Sequence, residues 1–207
     1  MIESEGYIKF QCEWEEKAFF FPKEQYDYLN GWRQKLYALN LVGAYDDGVG
    51  FGNLSIREDT TDCFVITGSA TGNYPILQKK HYAKVIDCDV ASNYVKCIGG
   101  TRASSESLTH SAVYRTLPTV NAVIHTHHRS MWNKYYNLKP TTDPRAAFGT
   151  PELAMEIQDI LRYEYARREK FIVLGGHEEG ILAFGKDLDE AGEILVHYRN
   201  KIENQID

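Results

Sequence analysis

Hydrophobic and polar positions along this chain follow two periods, one typical of helices and the other of strands. Apolar residues spaced three or four apart follow Pro22 and stop before Gly43, which predicts a packing helix. The same period predicts helices between Ser104 and Pro118, from Pro151 onwards and over 188–202. Apolar or alternating runs predict strands at 53–57, 64–66, 82–87, 122–127, 171–174 and 180–184. Strands mixed with helices throughout predict a layered α/β fold, in a single domain spanning residues 1–207.

Two histidines stand two residues apart in the strand predicted at 122–127. Because successive strand side chains point to opposite faces, His125 and His127 project together with Val123, while Ile124 and Thr126 face the other way. Neutral imidazoles are common ligands of zinc and other divalent first-row ions, but two are usually not enough. An isolated pair of this kind is also typical of cross-strand packing. The strand therefore predicts a metal site only together with a third ligand.

The polar connection between the last two predicted strands offers that ligand. It contains His177, Glu178 and Glu179, and imidazoles and carboxylates both ligate zinc. A short loop between two apolar strands is well suited to present such a side chain. His177 is the favoured third ligand, with Glu178 and Glu179 as alternatives.

One stripe of the helix after Ser104 carries a carboxylate. Glu106, His110, Val113 and Leu117 fall at i, i+4, i+7 and i+11, so Glu106 points inward if the apolar pair faces the core. A carboxylate beside a metal is suited to proton transfer. Glu106 is therefore a candidate acid/base, with a fourth metal ligand or a favourable first-turn charge as alternatives. His110 is expected to be a core histidine with its hydrogen bonds satisfied.

A glycine-rich turn at 67–75 and the start of this helix predict an anion site. Glycines let backbone amides approach a ligand closely, although the turn lacks the ending of a Walker loop. The helix N-terminus supplies free amides and the positive end of the dipole. Ser104 and Ser105 add hydroxyl donors, or serve only as a helix cap.

Composition narrows the remaining classes of function. The 207 residues are 43% hydrophobic, enough to bury a sizeable core, and a net charge of −6 with scattered basic residues disfavours nucleic acid as a partner. Four cysteines form no CxxC pair, which favours reduced thiols over a disulfide framework. The acidic residues 1–5 lead into no apolar segment, so neither a secretory signal nor a membrane span is expected. We therefore expect a cytoplasmic protein without a membrane partner.

The order of these motifs resembles the class II aldolase and adducin family, which includes fuculose-phosphate aldolase and ribulose-phosphate 4-epimerase. The resemblance covers roughly residues 29–198, and each motif is short while their shared order is specific. The motifs lie at 52–57, 66–72, 104–106 (Ser-Ser-Glu), 122–127, 149–154 and 180–191.

The resemblance implies a three-layer α/β/α fold around a mostly antiparallel mixed sheet, assembled as a homotetramer with sites between neighbouring subunits. It implies a divalent ion, zinc in the first place and manganese, cobalt or iron as alternatives, held by His125, His127 and a late histidine. It also implies Glu106 as the acid/base. The positions that match the family's phosphate cradle are Asn53, Thr71, Gly72, Ser104 and Ser105.

The family resemblance also implies a type of reaction. In the aldolases the metal polarises a carbonyl and hydroxyl pair while a carboxylate moves protons. The segment between His127 and Gly149 is shorter here, where those enzymes carry a catalytic tyrosine, and Tyr135 and Tyr136 are the candidate replacements. We expect a metal-dependent lyase that stabilises the enediolate of a small anionic, phosphorylated hydroxy-carbonyl substrate. A decarboxylase or dehydratase on the same fold, or a non-catalytic adducin-like binding protein, are the alternatives.

Overall fold

Ten strands and six α-helices form within residues 8–58 and 61–204, the part of the chain that the computed structural model describes. The strands are β1 (Gln11–Glu15), β2 (Gly43–Ala44), β3 (Gly50–Phe51), β4 (Asn53–Arg57), β5 (Phe64–Thr67), β6 (Tyr82–Asp89), β7 (Tyr94–Gly99), β8 (Ala122–His127), β9 (Phe171–Val173) and β10 (Gly180–Gly185). The helices are α1 (Lys23–Ala38), α2 (Ser107–Thr116), α3 (Arg129–Tyr135), α4 (Pro151–Ile160), α5 (Glu164–Glu169) and α6 (Leu188–Glu203).

Eight of these strands form one mixed sheet across the described residues, in the order β1-β7-β6-β5-β4-β8-β10-β9. The pair β1 and β7 is parallel, and the other neighbours in the sheet are antiparallel. The strand with the two histidines, β8, lies between β4 and β10. It is therefore an interior strand whose backbone is paired on both sides.

Helices cover both faces of the sheet. On one face α2 and α4 pack over a cluster that includes Phe64, Val123 and Leu182. On the other face α1, α3 and α6 pack over Leu54 and Ile124. The predicted three-layer α/β/α fold with a mostly antiparallel sheet is confirmed.

Local signals in the sequence fix the ends of several helices. Pro22 immediately precedes α1, where its fixed φ suits the start of a helix. The Thr150 side chain accepts a hydrogen bond from the backbone N–H of Leu153 at 3.4 Å, and Pro151 is the first residue of α4. Asp187 caps α6 in the same way, accepting from the N–H of Glu190 at 2.8 Å. Side-chain caps therefore mark the starts of α4 and α6, and prolines mark those of α1 and α4.

Six elements were not predicted: the two-residue strands β2 and β3, and β1, β7, α3 and α5. The edge strand β1 alternates between exposed and half-buried residues and carries two glutamates, so it lacks an apolar run. The helices α3 and α5 are short and bury few side chains, which leaves no helical stripe. In β7 every second residue is buried, so its alternation did carry a strand signal.

None of the helices among the described residues has the length and apolar character needed to cross a bilayer. The acidic segment 1–5 lies outside the described residues. The four cysteines are all free thiols.

Candidate active site

Three histidines meet on the face of the sheet that α2 and α4 cover. The pleat of β8 directs His125 and His127 to the same side, as predicted. Antiparallel pairing sets Gly180 opposite His127, so the loop before β10 ends beside the pair and brings His177 against it. One ring nitrogen from each histidine lies within 4.8 Å of the others, and all three residues are at most 5% exposed.

Hydrogen bonds on the outer side of two of these rings fix which nitrogen faces inward. His125 Nδ1 lies 3.1 Å from the carbonyl oxygen of Ile181, so this nitrogen carries a proton and donates it. The Tyr45 hydroxyl lies 2.8 Å from His127 Nδ1 and donates to Glu179 Oε2 over 3.0 Å. Because that hydroxyl proton is used, Tyr45 accepts from His127 Nδ1–H. In neutral rings both Nε2 atoms are then unprotonated.

The geometry of these two nitrogens fits a cation. His125 Nε2 and His127 Nε2 are 3.1 Å apart, a distance at which two lone pairs repel each other unless a positive charge lies close to both. Zinc–nitrogen bonds are about 2.0–2.1 Å long, so two ligands of one ion stand roughly this far apart. Burial, and then the neighbouring imidazoles, holds the pKa of His125 well below its ordinary value, which keeps the ring neutral as a ligand must be.

The two glutamates of the loop point away from the histidine cluster. Glu178 pairs with Arg129 Nη1 at 2.7 Å, and its side chain is 65% exposed. Glu179 accepts from Arg129 Nε at 2.8 Å and from Tyr45, on the outer side of His127. Of the three side chains that the sequence left open as a third ligand, His177 is the one brought to the pair.

Two glycines allow the loop to place His177 there. A Cβ on Gly175 would lie 2.1 Å from the carbonyl oxygen of Thr142, and one on Gly176 would lie 2.2 Å from that of Ala146. Only glycine permits such close backbone approach. The loop is therefore shaped by its packing against the segment before α4.

Glu106 points inward beside the histidines, as its position on the helical stripe predicts. It is the residue before α2 and is 2% exposed. Its Oε2 accepts a hydrogen bond from Thr109 Oγ1 at 2.6 Å, and its Oε1 lies 4.0 Å from His177 Nδ1. This geometry suits both roles considered for the carboxylate, proton transfer and fourth metal ligand.

A small cleft opens beside Glu106. Its lining contains every residue predicted to hold an anionic group, together with Glu106 and His125. Those predicted residues are Asn53, Thr71, Gly72, Ser104 and Ser105.

The glycine-rich turn on one side of the cleft is fixed from behind. A Cβ on Gly72 would lie 2.1 Å from the carbonyl oxygen of Gly43, so this position requires glycine. The buried side chain of Arg33 donates to the carbonyl oxygens of Gly72 and Pro75, both at 3.1 Å. The turn therefore presents its backbone to the cleft in one fixed arrangement.

Residues 38–132 match the sequence profile of the family described as Class II Aldolase and Adducin N-terminal domain. The matched segment includes the glycine-rich turn, the Ser-Ser-Glu motif and both histidines of β8. This segment of the chain is of the class II aldolase and adducin type. The expectation drawn from the order of its motifs is confirmed.

Individual members of the class II aldolase family share different parts of the chain. A methylthioribulose-1-phosphate dehydratase of Pectobacterium atrosepticum is 36% identical over 77 residues, which span 37% of this chain and 34% of the dehydratase. An L-fuculose phosphate aldolase of Methanococcus maripaludis is 28% identical over 153 residues, spanning 68% of this chain and 76% of that enzyme. The crystal structure of L-fuculose-1-phosphate aldolase from Thermus thermophilus superposes with a TM-score of 0.64 at 21% identity, over 87% of this chain and 92% of that one. At this low identity, the similarity to the Thermus thermophilus structure is a similarity of fold.

Tyr135 and Tyr136, the candidate replacements for the aldolase tyrosine, lie apart from the histidines of the same chain. Both belong to the cluster under α3 and α6, on the opposite face of the sheet from His125. Tyr135 packs edge-on against Phe171, with ring centroids 5.7 Å apart. Within one chain both tyrosines therefore lie away from the histidine cluster, and the hypothesis that either residue substitutes in the site stays a prediction.

Two further residues of the candidate site were not predicted. Thr109, which holds Glu106, stands three residues along the same helix, so its contact could have been inferred from helical spacing. Tyr45, which holds His127, is 82 residues away in sequence. No local pattern connects those two positions, and only the folded structure reveals their contact.

Proposed function

We propose that this chain is a metal-dependent lyase that stabilises the enediolate of a small phosphorylated hydroxy-carbonyl compound. The main support is the convergence of three ligand-type nitrogens, a buried carboxylate and a cleft lined by hydroxyls and glycines. Each of these features alone has a structural explanation. Together, in a chain with a segment of the class II aldolase type, they match the requirements of enediolate chemistry.

The histidines would supply the metal site. His125, His127 and His177 would hold zinc, with manganese, cobalt or iron as alternatives. When bound, such an ion supplies a Lewis acid that polarises a carbonyl and stabilises the negative charge of an enediolate. The chain's own contribution is to keep His125 and His127 in the tautomers that direct both Nε2 atoms inward.

Glu106 would transfer the proton. Thr109 holds one carboxylate oxygen, and the other lies toward His177. The residue also lines the cleft. Glu106 therefore lies between the histidine cluster and the cleft. A substrate that occupies both would place its acidic C–H group within reach of this carboxylate.

The cleft would hold the phosphate through backbone amides and hydroxyls. Ser104 Oγ accepts from the N–H of Glu106 at 3.3 Å, which leaves its O–H to donate to a ligand. Thr71 Oγ1 donates to the carbonyl oxygen of Gly68 at 2.7 Å, so Thr71 would offer its backbone amide instead. The amides at the start of α2 add the positive end of the helix dipole.

A dehydratase is the second candidate reaction. The similarity to a methylthioribulose-1-phosphate dehydratase favours it, and the names of both curated relatives specify a phosphorylated sugar. Dehydration uses the same stabilised carbanion but expels a hydroxyl group, whereas aldol cleavage breaks a carbon–carbon bond. The products therefore distinguish the two reactions.

The assembly and location are part of the same proposal. The family resemblance favours a homotetramer of single-domain chains, and four free cysteines suit a reducing compartment such as the cytoplasm. Light scattering on the purified protein tests the first point.

The test is an activity screen of protein reconstituted with zinc or manganese against phosphorylated ketoses, with products identified by NMR. Glu106→Gln and His127→Ala should each lower turnover by about 100-fold or more, because proton transfer contributes ~10²–10⁴-fold. Glu178→Gln is the matched control, since this exposed glutamate points away from the cluster. Full activity in Glu106→Gln or His127→Ala would refute the mechanism. A protein that binds neither ion would instead favour the non-catalytic, adducin-like alternative.

A further inference from the structure

A buried row of hydrogen bonds connects α2 with the cleft. On β4, Asn53 and Ser55 face the same side, and His110 of α2 lies between them. His110 Nδ1 is 2.7 Å from Ser55 Oγ, and His110 Nε2 is 2.7 Å from Asn53 Oδ1. The Tyr114 hydroxyl continues the row, 2.7 Å from Ser55 Oγ. All four residues are at most 7% exposed, so the hydrogen bonds of this row are sheltered from bulk water.

The hydroxyl of Tyr114, at one end of the row, decides in which direction the hydrogen bonds are donated. Among the described residues, Ser55 Oγ is the side-chain partner of the Tyr114 hydroxyl. A buried O–H without an acceptor costs about 1–3 kcal/mol, so Tyr114 donates its proton to Ser55. Ser55 in turn donates to His110 Nδ1. The single proton of the neutral ring must then lie on Nε2, from which it is donated to Asn53 Oδ1.

The row ends in a side chain that faces the cleft. Because Asn53 Oδ1 accepts from His110, its amide nitrogen takes the other position. No described residue accepts a hydrogen bond from Asn53 Nδ2, and Asn53 lines the cleft. Burial lowers the pKa of His110 to about 3, so the ring stays neutral in the same tautomer across the physiological range.

We propose that Tyr114, Ser55 and His110 form a positioning device that locks Asn53 with its amide N–H groups toward the cleft. A ligand group at this position must then accept hydrogen bonds, as a phosphate oxygen does. With the other His110 tautomer, Asn53 would turn its carbonyl oxygen to the cleft and repel an anion. His110 is therefore a positioning residue for anion recognition, an inference that rests on the proposed function of the cleft.

The experiment combines two measurements on the protein as purified. Nitrogen-15 NMR of histidine-labelled protein reports which ring nitrogen of His110 carries the proton, with the resonance identified by its absence in His110→Gln. Calorimetric titration with inorganic phosphate reports binding in the cleft. The first measurement does not depend on any ligand, so a failure of the inference can be told from a failure of the proposed function.

Asn53→Asp is the decisive variant. An aspartate still accepts the hydrogen bond from His110, so the fold and the His110 tautomer should be retained. Its second oxygen would face the cleft in place of the amide and repel the anion, so phosphate affinity should fall by about 100-fold or more, at the upper end of the roughly 10- to 150-fold that loss of one hydrogen bond to a charged group costs.

Ser55→Ala tests the row itself. Without the hydroxyl, His110 Nδ1 loses its donor, so the second tautomer should become populated and phosphate affinity should fall about threefold to tenfold. Ser111→Ala is the matched control, because it removes a buried hydroxyl from the next residue of the same helix, outside the cleft lining. It should leave both readouts unchanged.

Each outcome decides the inference. A proton on His110 Nε2, with the expected losses in both variants and not in the control, supports it. A proton on Nδ1, or wild-type phosphate affinity in Asn53→Asp, would overturn it and leave the proposed lyase standing. A wild-type protein with the expected tautomer that does not bind phosphate would overturn the anion cleft itself, and with it both proposals.

Discussion

The two faces of the central strands bury different kinds of side chain. Leu54 and Ile124 lie opposite each other on the face under α1 and α6, within an apolar cluster. One residue along the same strands, Asn53 and His125 also lie opposite each other, but on the face under α2. The same two strands therefore have an apolar face, marked by Leu54 and Ile124, and a polar face, marked by Asn53 and His125.

The apolar side chains stabilise the fold, whereas the polar side chains of the site each require a hydrogen-bond partner. Burying apolar area stabilises the chain without any directional requirement, at roughly 25 cal/mol per Å². A buried polar group costs about 1–3 kcal/mol unless it finds a partner, so each one on the other face requires a specific hydrogen bond. His110 and His125 both have such partners. Polar residues kept at that cost mark the face that carries the candidate site.

Truncating the apolar face should have the largest effect, and it should be an effect on stability. Leu54 is fully buried, so Leu54→Ala should lower the free energy of unfolding by about 2–5 kcal/mol through lost contacts and a cavity. Urea denaturation measures this loss. The folded variant should still bind zinc as wild type does, because Leu54 faces away from the histidines.

Leu138→Ala is the control, since this leucine is 68% exposed and its removal should change stability by less than ~0.5 kcal/mol. Loss of metal binding from folded Leu54→Ala would show that the two faces are not independent.

Removing a histidine from the polar face should affect metal binding rather than stability. His177→Ala should weaken metal binding by about 100-fold or more, exceeding the ~10–100-fold that partners of metal ligands contribute. Elemental analysis and titration with zinc measure this change. His197→Ala is the control, because this histidine is exposed on α6. Undiminished binding in His177→Ala, combined with loss in His125→Ala, would move the third ligand to a glutamate that turns inward.

The sequence predicted the parts of the site that depend on local periodicity. Strand alternation placed His125 and His127 on one face, and helical spacing turned Glu106 inward. Local periodicity could not predict which of His177 and its neighbouring glutamates is brought to the histidine pair. It depends on the close packing of Gly175 and Gly176 against a distant segment, which has no signature in the loop's own sequence.

The buried His110 of the polar face should also make the free energy of unfolding of the whole domain fall in acid. The folded-state pKa of His110, lowered by burial to about 3, lies below the ordinary value of about 6.5, so the unfolded chain takes up a proton that the folded chain does not. Stability is therefore full above pH ~6.5 and falls by about 1.4 kcal/mol per pH unit below it, until pH ~3. The His110 share of the loss from pH 7 to pH 5 is roughly 2 kcal/mol, measured by urea denaturation in chelator, and His125, whose pKa burial also lowers, adds to the total.

His110→Gln isolates the contribution of that ring. The variant is compared by its slope rather than by its absolute stability, since removing His110 also breaks the row to Asn53. Its slope should be shallower than that of wild type by about 1.4 kcal/mol per pH unit. Parallel slopes would mean that His110 becomes protonated in the folded state.

The smallest predicted effect concerns the outer support of His127. Tyr45→Phe removes the hydroxyl that accepts from His127 Nδ1, so the ring loses the hydrogen bond that fixes its tautomer, and metal affinity should fall about tenfold. Competition with a chelator measures the affinity, and Tyr163→Phe is the control because that tyrosine is 71% exposed. Equal affinities in Tyr45→Phe and wild type would show that β8 and its neighbours orient His127 without help. The polar face would then depend on its strand for the direction of each ligand, and on hydrogen bonds only to offset the cost of burial.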